Sequence, residues 1–137
     1  MYASTTIKKT PTALAVTPTA GSTRTLEVFR NYASDKTTFV GTEDTGGVNR
    51  DTLTVQATPT TVTLQAGVPT YSLGAKKLSY KPVTDVSGTK WQSTFNVTAF
   101  VNEAILTEAQ IQALQWEFVQ FVGSAAFTKL LYNNAVN

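Results

Sequence analysis

Neither cysteine nor histidine occurs in this 137-residue chain. Without cysteine there is no disulfide, no thiolate metal site and no cysteine nucleophile, and the redox compartment cannot be read. Without histidine the commonest general base and the commonest transition-metal ligand are missing. Catalysis would have to rest on carboxylates, Lys, Tyr or a Ser/Thr hydroxyl. The carboxylates are few: Asp35, Glu43, Asp44, Asp51 and Asp85 stand near turns, where acids are ordinarily solvated turn formers. Glu103, Glu108 and Glu117 read as the approach to a helix and its exterior. The DTGG at 44–47 is explained by a hairpin turn. No glycine-rich phosphate loop is present, so no metal, cofactor or small-molecule substrate is expected.

Charge is sparse as well. Eleven Lys and Arg against nine Asp and Glu leave a formal net charge of +2, weak for a protein that grips nucleic acid as a monomer. A small cationic excess multiplied by assembly can still neutralise many phosphates. No apolar run is long enough to span a bilayer. The N-terminal MYASTTIKKTPT has two lysines with no apolar stretch behind them, so neither membrane contact nor a secretory signal is expected.

What is present is most clearly ordered from Lys90 to Asn134. KWQSTFNVTAFVN alternates, with Trp91, Phe95, Val97, Ala99 and Val101 on one side and Lys90, Gln92, Thr94, Asn96 and Thr98 on the other, as in a long strand whose sheet is buried on one face. A helix then begins at Thr107, three residues before Gln110, the spacing of a capping box, flanked by a Leu106/Ile111 staple. Ile111, Leu114, Phe118, Phe121 and Val122 form its apolar stripe, and Glu108 suits its first turn. Gly123 ends it and Ser124 caps a second helix bearing Phe127, Leu130 and Leu131. Trp116 and Val119 fall off the stripe. They are either surface residues lying along their own helix or a second apolar side covered by another subunit, as large aromatics outside a core stripe often are.

Upstream, 12–16 and 25–30 read as the strands of an N-terminal hairpin around TPTAGS, and Phe39 and Val40 as part of a short strand. In RDTLTVQAT, Leu53, Val55 and Ala57 oppose Arg50, Thr52, Thr54 and Gln56. A short strand at 62–65 is followed by a loop. In AKKLSYKPV, Leu78 and Tyr80 oppose Lys77, Ser79 and Lys81, and Pro82 marks a strand that either ends there or lies at an edge. VTDVSGTK is a tight connection, and the sequon at Asn96 lies inside a strand. With no βαβ alternation and no repeat, the fold class is α+β: an N-terminal hairpin, an antiparallel meander and two C-terminal helices. One domain over 1–137 is expected, with a hairpin and edge segment (1–45), a main sheet (50–102) and two helices (107–132). The polar strand faces can meet phosphates with cations and bases with hydroxyls and amides, or can simply be a solvated, threonine-rich sheet face. Tyr80, the nearest stacking aromatic, alternates onto the apolar side.

This order of elements, carried by AKKLSYKPV, KWQSTFNVTAFVN and LTEAQIQALQWEFVQFVGSAAFTKLLYNNAV over residues 75–135, resembles the coat proteins of single-stranded RNA bacteriophages, the leviviruses. Residues 1–45 fit by architecture alone. The resemblance implies an interlocked homodimer whose sheets join and whose helices pack on the partner's sheet. Dimers would build an icosahedral shell in the bacterial host cytoplasm, with VTDVSGTK near its symmetry axes, and the protein would reside in the virion. The implied interface comprises Phe95, Val97, Val101, Ile111, Leu114, Trp116, Phe118, Val119, Phe121, Val122, Phe127 and Leu131. The implied face for genomic RNA comprises Arg50, Thr52, Thr54, Gln56, Lys77, Ser79, Lys81, Lys90, Gln92, Thr94 and Asn96. Packaging is expected ahead of repression through an operator hairpin, for which no stacking aromatic is found. The rivals are a monomeric RNA-binding module and, disfavoured by the missing His, a Ser/Thr–Lys hydrolase.

Overall fold

A computed structural model describes residues 6–9, 14, 16, 24–33, 35–41 and 50–135. The chain divides into two compact units, Ser22–Ile105 and a second made of Met1–Gly21 with Leu106–Asn137. The first holds nine strands among the described residues: β1 Leu26–Ala33, β2 Lys36–Gly41, β3 Thr52–Ala57, β4 Thr61–Gln65, β5 Val68–Ser72, β6 Ala75–Lys81, β7 Val83–Val86, β8 Thr89–Gln92 and β9 Phe95–Phe100. Five of them form one antiparallel sheet in the order β1-β2-β3-β6-β9, while β4-β5 and β7-β8 form two-stranded hairpins. The expected class, an antiparallel sheet followed by two helices, is the one observed.

The register shows what the hairpins are. Thr52 pairs with Lys81 and Ala57 with Lys76; counted onward at the same offset, this pairing reaches Thr61 opposite Ser72, which is the observed β4–β5 register. Likewise Tyr80 pairs with Phe95, and the same offset puts Val83 opposite Gln92, as observed. Each hairpin therefore continues a ribbon that begins in the sheet. The interruptions fall at Pro59 and Pro82, which have no N–H to give to a ladder. Ser93 N–H still reaches the Pro82 carbonyl at 3.0 Å, and Thr58 N–H reaches Ala75 O at 3.0 Å. Both ribbons close through two-residue turns with left-handed backbone, Ala66 and Gly67 at φ 51° and 78° and Ser87 and Gly88 at 54° and 82°. Positive φ at both central positions is the type I′ geometry that matches strand twist.

These pairings revise the expected strand map. The long strand at 90–102 is two strands, β8 and β9, parted at Ser93 and Thr94 opposite Pro82. The loop after 62–65 contains β5, and the VTDVSGTK connection contains β7. The strand at 25–30 exists as β1, but it pairs with β2. Leu14 and Val16, expected to lie in its partner, belong to no strand; the rest of 12–16, the TPTAGS turn and the 44–47 motif lie outside the described residues.

Little of this unit is buried. Leaving aside 28–33 and 40, the described residues that are buried are Gly41, Gly74, Pro82 and Val83, and they gather around two carboxylates. Asp51 Oδ1 takes Arg24 Nη1 at 2.7 Å and Val83 N–H at 2.6 Å, while Arg24 Nη1 also donates to Val83 O at 2.9 Å. The Asp51 carbonyl accepts from Gly41 N–H at 2.7 Å. One acid thus ties the ends of β2, β3 and β7, and the expectation of a solvated turn former at Asp51 does not hold. Glu103 makes the second knot. Its Oε1 accepts from Thr60 N–H at 2.6 Å and its Oε2 from Thr60 Oγ1 at 2.7 Å, with Lys76 Nζ 2.9 Å away. Lys76 also donates to the carbonyls of Thr58 and Gly74. A Cβ at Gly74 would overlap the Thr58 carbonyl oxygen, so only glycine fits there. Glu103, expected to belong to the approach to the helix, instead clamps the base of the β4–β5 hairpin.

The second unit holds α1 Glu108–Val122 and α2 Ala125–Asn133. The capping box is present, with Gln110 N–H donating to Thr107 Oγ1 at 3.2 Å and Thr107 N–H to Gln110 Oε1 at 2.9 Å. Ser124 caps α2 by accepting from Phe127 N–H at 3.3 Å, and Asn134 closes it in the left-handed region at φ 55°. Phe121 and Phe127 meet edge to face at 6.0 Å between centroids, which sets the bend between the helices.

Two stability predictions follow from the carboxylate knots. Asp51→Ala strands the Val83 N–H and the Arg24 guanidinium, and should lower unfolding free energy by about 2 kcal/mol; an unchanged urea midpoint would show that the knot is dispensable. For Glu103, the Thr60 and Lys76 donors hold the carboxyl down at about 2, against a usual value of 4.5. The folded state therefore binds the proton more weakly than the unfolded one. The stabilisation is complete above about pH 4.5 and is lost as pH falls through about 2. The stability gap between wild type and Glu103→Gln should be widest near neutrality and close on acidification; a pH-independent gap would contradict this.

Candidate nucleic-acid interface

Cross-strand partners in an antiparallel ladder point to the same side, and residues two apart along a strand do so too. Applied to β2, β3, β6 and β9, the observed pairing sorts the sheet into two faces. One carries the rows Lys36–Gln56–Lys77–Thr98 and Thr38–Thr54–Ser79–Asn96, with Thr52 and Lys81 beyond them. The other carries Thr37–Val55–Leu78–Val97 and Phe39–Leu53–Tyr80–Phe95. The alternation read separately in β3, β6 and β9 is thus assembled into one polar and one apolar surface.

On the polar surface Lys77, Lys81, Asn96 and Thr98 are exposed, and Lys36, Thr52, Thr54, Gln56 and Ser79 half-exposed. Thr38 and Thr54 hydroxyls lie 3.3 Å apart. A cavity of about 300 Å³ opens among Lys36, Gln56, Lys77, Ser79 and Asn96. The one acid in these rows among the described residues is Glu27, exposed on the edge strand β1, where it pairs with Val40 in the row of Thr52 and Lys81. Lys36 and Lys77 are separated by a full strand, about 10 Å. That is about one Debye length at physiological salt, so their mutual repulsion is small. Such a surface can bind a polyanion through two or three cations and offer amides and hydroxyls between them.

The structure thus unites Thr52, Thr54, Gln56, Lys77, Ser79, Lys81 and Asn96 of the expected RNA face. Four others are elsewhere. Lys90 and Gln92 lie in β8, beyond the Pro82 interruption, and Lys90 Nζ sits 3.5 Å from Asp85 Oδ2. Gln92 Nε2 donates to the carbonyl of exposed Arg50 at 3.3 Å. Thr94 is in the gap before β9. Thr98, read on the polar side of its strand, joins the face, and Lys36 and Thr38 join it without having been singled out. The signal for β2 was the alternation in KTTF, dulled because Thr37 on the apolar side looks no different from Thr38 on the polar side.

The expected interface residues also have definite surroundings. β9, bearing Phe95 and Val97, is a terminal strand of the sheet, and its FNVTAF has no charge, proline or bulge to discourage pairing. Its apolar face is open: Leu78, Phe95 and Val97 are exposed, and a cavity of about 470 Å³ lies along Val55, Leu78 and Val97. In the helical unit Leu114, Phe118, Phe121, Val122 and Leu131 are exposed, Phe118 at 53%, and Ile111 and Phe127 are half-buried, as is Val101 in the sheet unit. The opposite side of α1 meets residues of the same chain. Lys8 N–H donates to Gln120 Oε1 at 2.9 Å, Gln120 Nε2 donates to Lys8 O, Lys9 Nζ is 3.9 Å from Glu117, and Val16 N–H reaches Gly123 O at 3.2 Å. Trp116 and Val119 are half-buried on or beside this side, with Trp116 Nε1 buried and unpaired. Their partial covering does not require a second subunit.

An antiparallel sheet, one face polar and cationic and the other apolar, followed by two capped helices defines the fold class. Solved structures share it. The chain is similar to a virus-like particle of bacteriophage GQ-907, at 17% identity and TM-score 0.64, covering 91% of this chain and 92% of that one. It is also similar to a virus-like particle of Beihai levi-like virus 21, at 18% identity and TM-score 0.57, covering 91% and 96%. No family model and no curated protein matches the sequence. The coat-protein fold implied by the sequence resemblance is therefore the fold of this chain.

Proposed function

We propose that this protein is the capsid subunit of a single-stranded RNA bacteriophage, acting without catalysis as a homodimer that assembles into an icosahedral shell around genomic RNA. The observation that carries this is the fold match, over more than nine-tenths of each chain, with two virus-like particles. Two features of the chain support it. β9 offers an unprotected edge that can pair with β9 of a second copy and join two sheets into one. The open stripe of α1 and the open apolar sheet face are surfaces that a monomer would leave in water and an interlocked dimer would cover. In this reading Phe95, Val97, Leu114, Phe118, Phe121 and Val122 lie at the dimer interface, and the polar rows around Lys36, Lys77 and Lys81 face the RNA inside the virion. Operator repression is not part of the proposal, because the polar rows hold no aromatic to stack on a base.

The chain expressed alone in bacteria should yield uniform particles by negative-stain electron microscopy, with nucleic-acid absorbance in the sized peak. A small, nucleic-acid-free species would overturn the proposal and favour the monomeric module. Phe118→Ala removes an exposed ring from α1, and should leave helix content unchanged while weakening dimerisation by about 2 kcal/mol or more; an undiminished dimer would exclude this stripe. Lys77→Ala with Lys81→Ala should weaken binding to single-stranded RNA and lower the slope of log K against log salt by about 1.4, two phosphates' worth. An unchanged slope would return the face to bulk solvent.

A further inference from the structure

Between Asp51 and Lys76 the chain has no charged residue, and the middle of that stretch is the β4–β5 hairpin. Its pairing places Val62 opposite Tyr71 and Leu64 opposite Pro69, all on one face, with Thr63 opposite Thr70 on the other. Leu64 is 71% exposed, and Val62 and Tyr71 are exposed with it. Among the described residues no third strand pairs with the hairpin, and a two-stranded ribbon standing alone is marginal in water. Yet this one is held in a fixed attitude at its base by Thr60, Gly74, Lys76 and Glu103. A segment anchored at its base with a continuous apolar face left in solvent is built to be covered.

We propose that the Val62–Leu64–Pro69–Tyr71 face is an assembly arm that seats on a second copy of this chain. This deepens the capsid reading and rests on it. The occupant follows from the chemistry of the face. It has no cation for a phosphate and no charge for an oppositely charged protein, and in a shell the surfaces within reach belong to other copies. Four side chains make a patch far smaller than a stable pairwise interface of roughly 800 Å² per partner. The arm therefore contributes by repetition across the assembly rather than by making the dimer. Glu103 is a positioning residue in this scheme, since it sets the direction of the arm and touches no partner.

The cysteine-free chain allows a direct test with single-cysteine variants. Leu64→Cys and, on the opposite face, Thr63→Cys are labelled with a maleimide in the sized assembly and again after dissociation to the smallest folded species. Leu64→Cys should react at least about tenfold more slowly in the assembly, with Thr63→Cys much less affected. Particles in which Leu64→Cys labels at the dissociated rate would overturn the arm while leaving the capsid reading intact. If only a small oligomer forms, the capsid reading fails; concentration-dependent protection of Leu64→Cys would then still support the arm, and rapid labelling at every concentration would overturn it. Protection that vanishes on nuclease treatment would assign the face to RNA and overturn it. As a second line, Val62→Thr with Leu64→Thr, which keeps strand propensity, should lower particle yield while folded dimers accumulate; wild-type yield and urea resistance of the particles would overturn the arm.

Discussion

A shortage of buried apolar surface within one chain is the constraint on which the rest depends. Burial of apolar area is the dominant favourable term in folding, and here, leaving aside 28–33 and 40, Val83 is the one large apolar side chain that is buried among the described residues. The sheet is held instead by its ladders and by two carboxylate knots at its ends, Asp51 joining β2, β3 and β7 and Glu103 joining Thr60 and Lys76. Leu78, Phe95 and Val97 on the sheet and Leu114 and Phe118 on α1 remain in contact with solvent. A chain so composed leaves apolar surface in solvent, which the proposed self-association would cover.

Two prolines organise the sheet as much as any apolar residue does. Pro59 and Pro82 interrupt two ribbons whose registers otherwise run unbroken from the five-stranded sheet to the hairpin turns. The same device produces one hairpin with an apolar face and one, β7–β8, in which Trp91 and Val86 share a side opposite the Asp85–Lys90 pair. Each ribbon thus does two jobs. Inside the sheet it presents rows to the polar and apolar faces; beyond the proline it carries a two-stranded hairpin.

Much of the site is legible in the amino-acid sequence, because its signals are local. Period-two alternation in β3, β6 and β9 places Thr54, Lys77, Ser79 and Asn96 on one side, and cross-strand pairing can then only align them. Lys36 and Thr38 are not legible, since Thr37 on the apolar side is the same residue type as Thr38 on the polar side and only the neighbouring strands tell them apart. The roles of Asp51 and Glu103 are hidden for another reason. Their partners, Arg24 and Val83 for one and Thr60 and Lys76 for the other, are distant in sequence, and nothing at the acids themselves distinguishes them from turn formers.

The amino-acid sequence alone determined the elements whose energetics close within a few residues: the Thr107–Gln110 capping box, the Ser124 cap, the stripe on α1, the strand at 75–81 ending before Pro82, and the antiparallel class with helices last. Tertiary structure decided where ribbons break, which strand β1 pairs with, which acids become knots, and which side of α1 Lys8, Lys9, Leu14 and Val16 meet. The physical reason is that hydrogen bonds within a helical turn and side-chain alternation along a strand are set by neighbours in sequence. Register and long-range carboxylate pairing are chosen among distant partners, and only the folded chain makes that choice.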